Sequence, residues 1–326
     1  MPIDLSLEPI KLPMENRRNT AIGGEIVNDL KNIRVKLVNC TKFGDLLDYI
    51  PGFVEMTWAE NPMERVFSEK MKNQCVLNTF MRRTLPTALE TIRLDFLIDG
   101  LNIQDVTHLI RHRTFSFSSQ CTGDRDLRAH KLTMPEAISN SPEFKERYEH
   151  LMRECVQLYA DMVDSDKISM MDARLCLPKC HDTAYYASCN LKDLLGFLNQ
   201  RKDQQIQPSS DVVIAMLMYK EVCKHYPISC LNLVDFDGQD KFYIMSAQQE
   251  HSTRLYAPEP KNDVFKWNPK SNIYGDRRKH QVAGTNATEL VVFKEIKEDF
   301  DKWLKNDKEI SARYWKNEGI DFEQNS

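Results

Sequence analysis

The stretch Arg111-His112-Arg113, followed by Thr114-Phe115-Ser116-Phe117-Ser118-Ser119-Gln120-Cys121, concentrates the side chains best suited to chemistry. Two guanidinium groups flank an imidazole. Arginine forks keep their charge and bind phosphate oxygens two at a time, which suits a pyrophosphate or a nucleoside monophosphate. If the chain behind them is extended, Ser116, Ser118 and Gln120 fall on one side. A basic triplet at a helix end also serves simply to complement the helix dipole, so its meaning depends on the rest of the chain. Elsewhere the candidates are weaker. Asp124 and Asp126 make no convincing acid/base pair beside so many arginines, and His130, His150 and His181 stand in no partner pattern. Cys176, Cys180, His181 and Cys189 are the one cluster suggestive of zinc, but their spacing fits no common zinc module and no metal is expected.

These residues need elements to hold them. Arg34 to Val38 alternates as a half-buried strand, a helix follows around Phe43–Tyr49, and 72–83 looks helical. Leu94 to Ile98 reads as a strand stopping at Asp99-Gly100. Asn102 is a candidate N-cap with Asp105 three residues on, and the helix it starts runs straight into Arg111. Ser141-Pro142-Glu143 signals another helix start, with apolar residues at 144, 148, 151, 155, 158 and 162; the aromatic residues 144, 148 and 159 are expected in the core. Ser169 with Asp172 predicts a capped helix ending at Leu177-Pro178. Thr183 to Ser188 is β-like, Asn190 caps a helix that brings Arg201 to its C-terminal end, and a further helix runs from about Ser209 to Lys224. Beyond Cys230 lie a turn-rich stretch and one amphipathic helix through Leu290, Phe293, Ile296, Phe300 and Leu304. The expected division is a leader over 1–34, a catalytic domain over 35–230 and a C-terminal extension over 231–326.

Composition narrows the classes. With 326 residues, 41% hydrophobic and 28% charged, the chain reads as a folded soluble protein, not a disordered, collagen-like or disulfide-framework one. Its 44 basic against 48 acidic residues exclude a globally basic nucleic-acid binder. The balance is local, however: between Arg111 and Lys131 five basic residues face two acidic ones. Only 11 glycines argue against a Rossmann-type nucleotide loop. Nine cysteines without CxxC pairs read as free thiols. There is no signal-peptide pattern and no apolar run of membrane-spanning length, so a cytoplasmic chain without membrane attachment is expected.

The stretch from Arg111 to Cys121 resembles the signature of the flavin-dependent thymidylate synthases, Arg-His-Arg, seven residues, then Ser. The likeness continues in order. Met171 to Pro178 looks like the family's "AR-x-x-LP" segment, and Ala187 to Leu194 through Phe197 to Arg201 looks like "N-x-R-S-L-x-N-F-L-x-x-R". Thr87-Ala88-Leu89-Glu90 is similar to the "TPFEH" box, and the whole covers roughly residues 35–227. The resemblance implies an α+β fold, helices packed on a small mostly antiparallel sheet. It also implies a homotetramer with shared sites that binds FAD, takes electrons from NADPH and moves a one-carbon unit from methylenetetrahydrofolate to C5 of dUMP, giving dTMP. By the same resemblance Arg111, His112, Arg113, Thr87, Glu90 and Asn190 would hold the flavin. His108, Gln120, Cys121, Arg174 and Arg201 would lie against the nucleotide, and Arg201 would be catalytic, its fixed charge stabilising the enolate formed as C5 attacks.

The departures from the family pattern are specific. Cys121 replaces the signature's last Ser, and Thr122-Gly123-Asp124 replaces the usual Gly-Arg-Tyr, leaving Arg125 or Arg128 to restore the charge. Ala88 and Thr91 stand where the box has Pro and His, Leu85 where a flavin-contacting His is frequent, Lys192 for Arg and Gly196 for Asn. A thiolate at Cys121 beside arginines could add to C6 of a pyrimidine; the plainer reading is a small side chain filling the Ser site. The drift leaves two alternatives open: the same scaffold acting on dCMP or UMP or hydroxymethylating, and a non-catalytic structural or partner-binding descendant. It also fits a virus-encoded enzyme acting in host cytoplasm.

Overall fold

The computed structural model describes residues 22–56, 59–77, 79, 86–123, 125–201, 209–226 and 291–317. Its centre is an antiparallel sheet in the order β2 (Arg34–Cys40), β3 (Arg93–Asn102), β6 (Asp182–Asn190) and β4 (Ser116–Ser119). A second, two-stranded sheet pairs β1 (Ile26–Asn28) in parallel with β5 (Leu132–Met134). The α+β architecture implied by the motifs is the one observed. Strand β3 shows why the pattern was readable: Leu94, Phe96 and Ile98 are wholly buried while Arg93 and Leu97, at alternate positions, face out.

The strand does not stop at Asp99-Gly100. Gly100 takes φ +79° in an irregularity of the ladder, and a Cβ there would lie 2.1 Å from the Asn32 carbonyl oxygen. Asn32 Nδ2 donates to the Gly100 carbonyl at 3.0 Å, so the glycine lets the chain lie against α1 (Asp29–Asn32) and continue to Asn102. There Asn102 Oδ1 accepts the Asp105 amide at 2.9 Å and opens α4 (Ile103–Leu109).

Helices α2 (Phe43–Glu55), α8 (Leu191–Arg201) and α9 (Ser209–Cys223) contribute to the main core with β3 and β6. Of the segment 72–83, residues up to Leu77 belong to α3 (Glu69–Leu77), and 80–85 lie outside the described residues. Helix α9 is apolar around most of its circumference, which requires cover on more than one side. Part of that cover comes from α10 (Val291–Asn317), whose Phe293, Phe300 and Leu304 join the same core. Tyr219 meets the Phe300 ring at 6.1 Å and the Trp303 ring edge-on at 6.0 Å. The buried Glu136, in α5 (Glu136–Ser139), accepts the amides of Val291 and Val292 at 3.2 and 2.8 Å and satisfies the start of α10. The first part of the expected extension, 231–290, lies outside the described residues, as do residues 1–21 of the expected leader.

Helix α6 (Pro142–Asp164) corrects the expected core. Its buried face is Met152, Val156, Tyr159, Ala160 and Val163, whereas Phe144, Leu151 and Leu158 are 52–57% exposed. Of the three aromatics, Tyr159 alone is fully buried; Tyr148 is partly covered and donates to the Thr133 carbonyl at 2.8 Å. Two apolar stripes share this helix, and periodicity cannot say which one meets the core. Ser141 precedes it as predicted but does not cap it: its hydroxyl donates instead to the Ala137 carbonyl at 3.0 Å.

Candidate active site

The chain leaves α4 through a turn carrying Arg111, His112 and Arg113, then enters β4 beside β6. Buried Phe115 anchors the turn, and the His112 ring meets Phe197 of α8 edge-on at 4.7 Å. Past β4 the Gln120 amide donates to Ala184 O at 3.0 Å, and its side-chain oxygen accepts the Ala184 amide at 3.1 Å. Gln120 therefore extends the ladder with its side chain.

Arg201 ends α8 directly behind the turn and is 8% exposed. Its Nε donates to His112 Nε2 at 3.0 Å, Nη1 to Asp211 Oδ2 at 2.7 Å and Nη2 to the His108 carbonyl at 3.3 Å. His112 accepts through Nε2, so the neutral ring carries its proton on Nδ1. Burial, then the adjacent Arg201 charge, pushes the His112 pKa down to about 4. Asp211 also contacts His108 Nδ1 at 3.4 Å, and burial raises its pKa against the opposing pull of Arg201 and His108. Asp105 beneath them is pushed up to about 6, chiefly by burial. By contrast Arg111 and Arg113 are exposed, and their side chains form no hydrogen bond or ion pair among the described residues.

The other predicted site residues fall into two further groups. Arg174 donates from Nη1 to Thr122 Oγ1 at 2.6 Å and from Nε to the Met171 carbonyl at 3.1 Å, which places it against the segment of the exposed Cys121. Thr87 and Glu90 lie in the short 3-10 helix Pro86–Thr91, where Glu90 pairs with Lys192, and Asn190 caps α8 by accepting the Asp193 amide at 2.8 Å. Within one chain the structure thus joins His108, His112 and Arg201, and separately Cys121 with Arg174. Leu85 and Asp124 lie outside the described residues.

Arg125 and Arg128, the two candidates for the missing signature arginine, are not equivalent. Arg128 is 3% exposed and clamped, Nε to Asp126 at 2.7 Å and Nη2 to Asp164 at 2.6 Å. Arg125 instead lines a cavity of about 410 Å³ with Gln120, His130, Lys131 and Asp182. Asp211, His130 and Asp182 were not found by sequence reasoning, since their partners are 10 to 103 residues away and no spacing links them. The four residues weighed for zinc do not converge: Cys180 Sγ contacts Met152 Sδ at 3.1 Å, Cys176 Sγ contacts the Cys155 carbonyl at 3.5 Å, and Cys189 is buried in β6. No helix among the described residues is long and apolar enough to cross a membrane.

Comparison with known proteins shows the chain to be an enzyme of the thymidylate synthase type. Residues 50–228 match the family model described as "Thymidylate synthase complementing protein", more than half of the chain. The chain belongs to the flavin-dependent thymidylate synthase family. It is 28% identical over 187 residues to a flavin-dependent thymidylate synthase of Thermococcus onnurineus, covering 54% of this chain and 73% of that one. It is 24% identical over 198 residues to one of Nitratidesulfovibrio vulgaris, covering 57% and 80%. Its fold is similar to that of the UMP/dUMP methylase PolB from Streptomyces cacaoi bound with 5-Br dUMP, with a TM-score of 0.52 and 21% identity over 63% of this chain and 94% of that one. Helix α10 lies outside the matched segment.

Proposed function

We propose that the enzyme transfers a one-carbon unit from methylenetetrahydrofolate to C5 of dUMP, with FAD bound and NADPH as reductant, and releases dTMP. The observation that carries this reading is Arg201 held against His112 at the signature turn, in a chain of this family. A buried guanidinium keeps its charge, and set against the pyrimidine carbonyls it stabilises the enolate that develops as C5 becomes nucleophilic. Asp211 and His112 fix the plane of that guanidinium, and the neutral His112 adds no competing charge. Gln120, Cys121, His108 and Arg174 are assigned to the nucleotide.

Arg111 and Arg113, exposed and uncommitted among the described residues, have the donor chemistry that a pyrophosphate requires, so they fit FAD. Thr87 is exposed and adds a hydroxyl; Glu90 and Asn190 join only by giving up Lys192 and Asp193. When bound, FAD supplies the two-electron chemistry that links NADPH to the carbon transfer. A homotetramer is supported by Phe144, Leu151 and Leu158, exposed at seven-residue spacing on α6, a stripe suited to a helix of another subunit. A cytoplasmic location belongs to the same reading.

The test is turnover with FAD, NADPH, methylenetetrahydrofolate and dUMP labelled with tritium at C5, following tritium release and dTMP by mass spectrometry. UMP and dCMP form separate arms. Product that requires all components, with kcat reduced about 100-fold or more in Arg201→Ala, is the expected result. Protein that takes up no flavin and releases no tritium with any pyrimidine overturns the reading.

A further inference from the structure

We propose that Thr122 is a positioning residue of the nucleotide site: its hydroxyl fixes the plane of the Arg174 guanidinium and leaves one nitrogen, Nη2, to the ligand. The inference rests on the functional reading above, in which Arg174 lies against the pyrimidine nucleotide.

Two different segments hold Arg174. Its Nη1 donates to Thr122 Oγ1 at 2.6 Å and its Nε to the Met171 carbonyl at 3.1 Å, whereas Nη2 has no hydrogen-bond partner among the described residues. A guanidinium is planar, so a single bond would leave it free to swing, while bonds at two of its nitrogens fix the plane. Both acceptors are neutral. Among the described residues no carboxylate pairs with Arg174, so it is aimed without being neutralised and its whole charge remains for a ligand. Arg128 shows the opposite arrangement, since Asp126 and Asp164 fix it and compensate its charge at once.

The two holding groups are themselves anchored. The Met171 carbonyl belongs to the short helix α7 (Met170–Ala173), where Ser169 Oγ accepts the Asp172 amide at 3.2 Å and donates to Asp172 Oδ2 at 2.7 Å. Ala173, at its end, is fully buried with Leu127, Tyr159 and Val163. On the other side Gln120, two residues before Thr122, is tied to Ala184 through both its amide and its side chain. The segments also touch directly. A Cβ at Gly123 would lie 1.7 Å from Met171 Sδ, so the backbone there runs against α7 and keeps Thr122 within reach of Arg174. Thr122 stands where the family pattern reads Gly, and a glycine has no hydroxyl with which to hold an arginine. The contact is therefore a device of this chain, spanning 52 residues.

The test compares wild type, Thr122→Val, Thr122→Ser, Arg174→Ala and the Thr122→Val/Arg174→Ala double variant, each with its thermal melt and flavin absorbance. Valine keeps the shape of threonine and removes the hydroxyl; Thr122→Ala takes its place if the melt falls. Loss of one charge-assisted contact predicts that Thr122→Val raises the dUMP KM, and the dUMP Kd from titration calorimetry, by about 10-fold, with kcat, melt and flavin uptake little moved. Thr122→Ser should recover most of the affinity. Beside Arg174→Ala the valine should add nothing, because its effect passes through the guanidinium. The Arg174 Nε–H signal in the NMR spectrum of ligand-free protein is a readout independent of turnover: its exchange with solvent should quicken in Thr122→Val and stay slow in Thr122→Ser. A variant that melts like wild type and leaves both this exchange and every pyrimidine nucleotide Kd unmoved overturns the proposal. A KM effect that persists undiminished beside Arg174→Ala, or that serine fails to repair, overturns it too. If UMP or dCMP binds with the same dependence on Thr122 and no dTMP forms, the positioning stands and the functional reading falls; if no pyrimidine nucleotide binds, the reading falls and the exchange rate decides whether Thr122 fixes Arg174. Formation of dTMP with a KM indifferent to Thr122 leaves the reading standing and the positioning fallen.

Discussion

The arginines of this protein divide into two kinds, and the division separates structure from ligand. Arg201 and Arg128 are both under 10% exposed and both held by carboxylates, Asp211 for one and Asp126 with Asp164 for the other. Arg111 and Arg113, at the turn behind which Arg201 lies, are exposed and uncommitted among the described residues. A buried guanidinium must be neutralised and hydrogen-bonded where it lies, so its geometry is settled before any ligand arrives. An exposed one is hydrated and mobile in its rotamers, and a ligand must order it. The first kind is suited to act on a reacting group at a fixed point, the second to hold a large cofactor.

The contrast can be broken at its strongest point. Asp211→Ala leaves the Arg201 charge buried without its carboxylate and should cost about 3–5 kcal/mol in urea melts, far above a surface change. Loss of under ~1 kcal/mol would show Arg201 to be solvated after all. Next is the charge state that burial, with Arg201 beside it, imposes on His112. NMR titration should place His112 protonation near pH 4, and Arg201→Gln should raise it by removing the nearby charge. Because this pKa lies below its ordinary value of 6.5, His112 contributes stability that is complete above about pH 6.5 and lost as the pH falls through about 4. Asp105 works in the opposite sense. Raised to about 6, it favours the fold most below pH 3.8 and loses that contribution as the pH rises through about 6, so Asp105→Asn should raise Tm at pH 8 and not at pH 3.5. Asn190→Ala, which removes the cap of α8, should cost about 1 kcal/mol. Least of all, Arg111→Ala and Arg113→Ala should change stability by under ~0.5 kcal/mol while flavin retention, read by absorbance after gel filtration, is lost.

What the sequence disclosed follows the range of the interaction. Strands β2 and β3, the caps at Asn102, Ser169 and Asn190, and the approach of α4 to Arg111 all rest on neighbours within a few residues, and these were legible. The motif order gave the family and fold. The pairings that decide which arginine is free were not legible. Arg128 meets Asp164 across 36 residues and His130 meets Asp182 across 52, with nothing in the spacing to announce either. Gly100 was misread for a related reason: Asp-Gly signals a turn locally, but Asn32, 68 residues earlier, turns it into a crossing point within a continuous strand. On α6 the fault was one of choice, since both stripes have helical period and only the fold selects between them.

The docking of α10 on α9 also sets an order of events in synthesis. Tyr219 and its neighbours leave the ribosome long before Phe293, Phe300 and Leu304, which share their core. Glu136 likewise waits 155 residues for the amides it caps. The nascent chain must therefore carry an apolar helix with one side of its cover missing until its last described element has emerged, and that interval is when it is most exposed to aggregation and most in need of a chaperone.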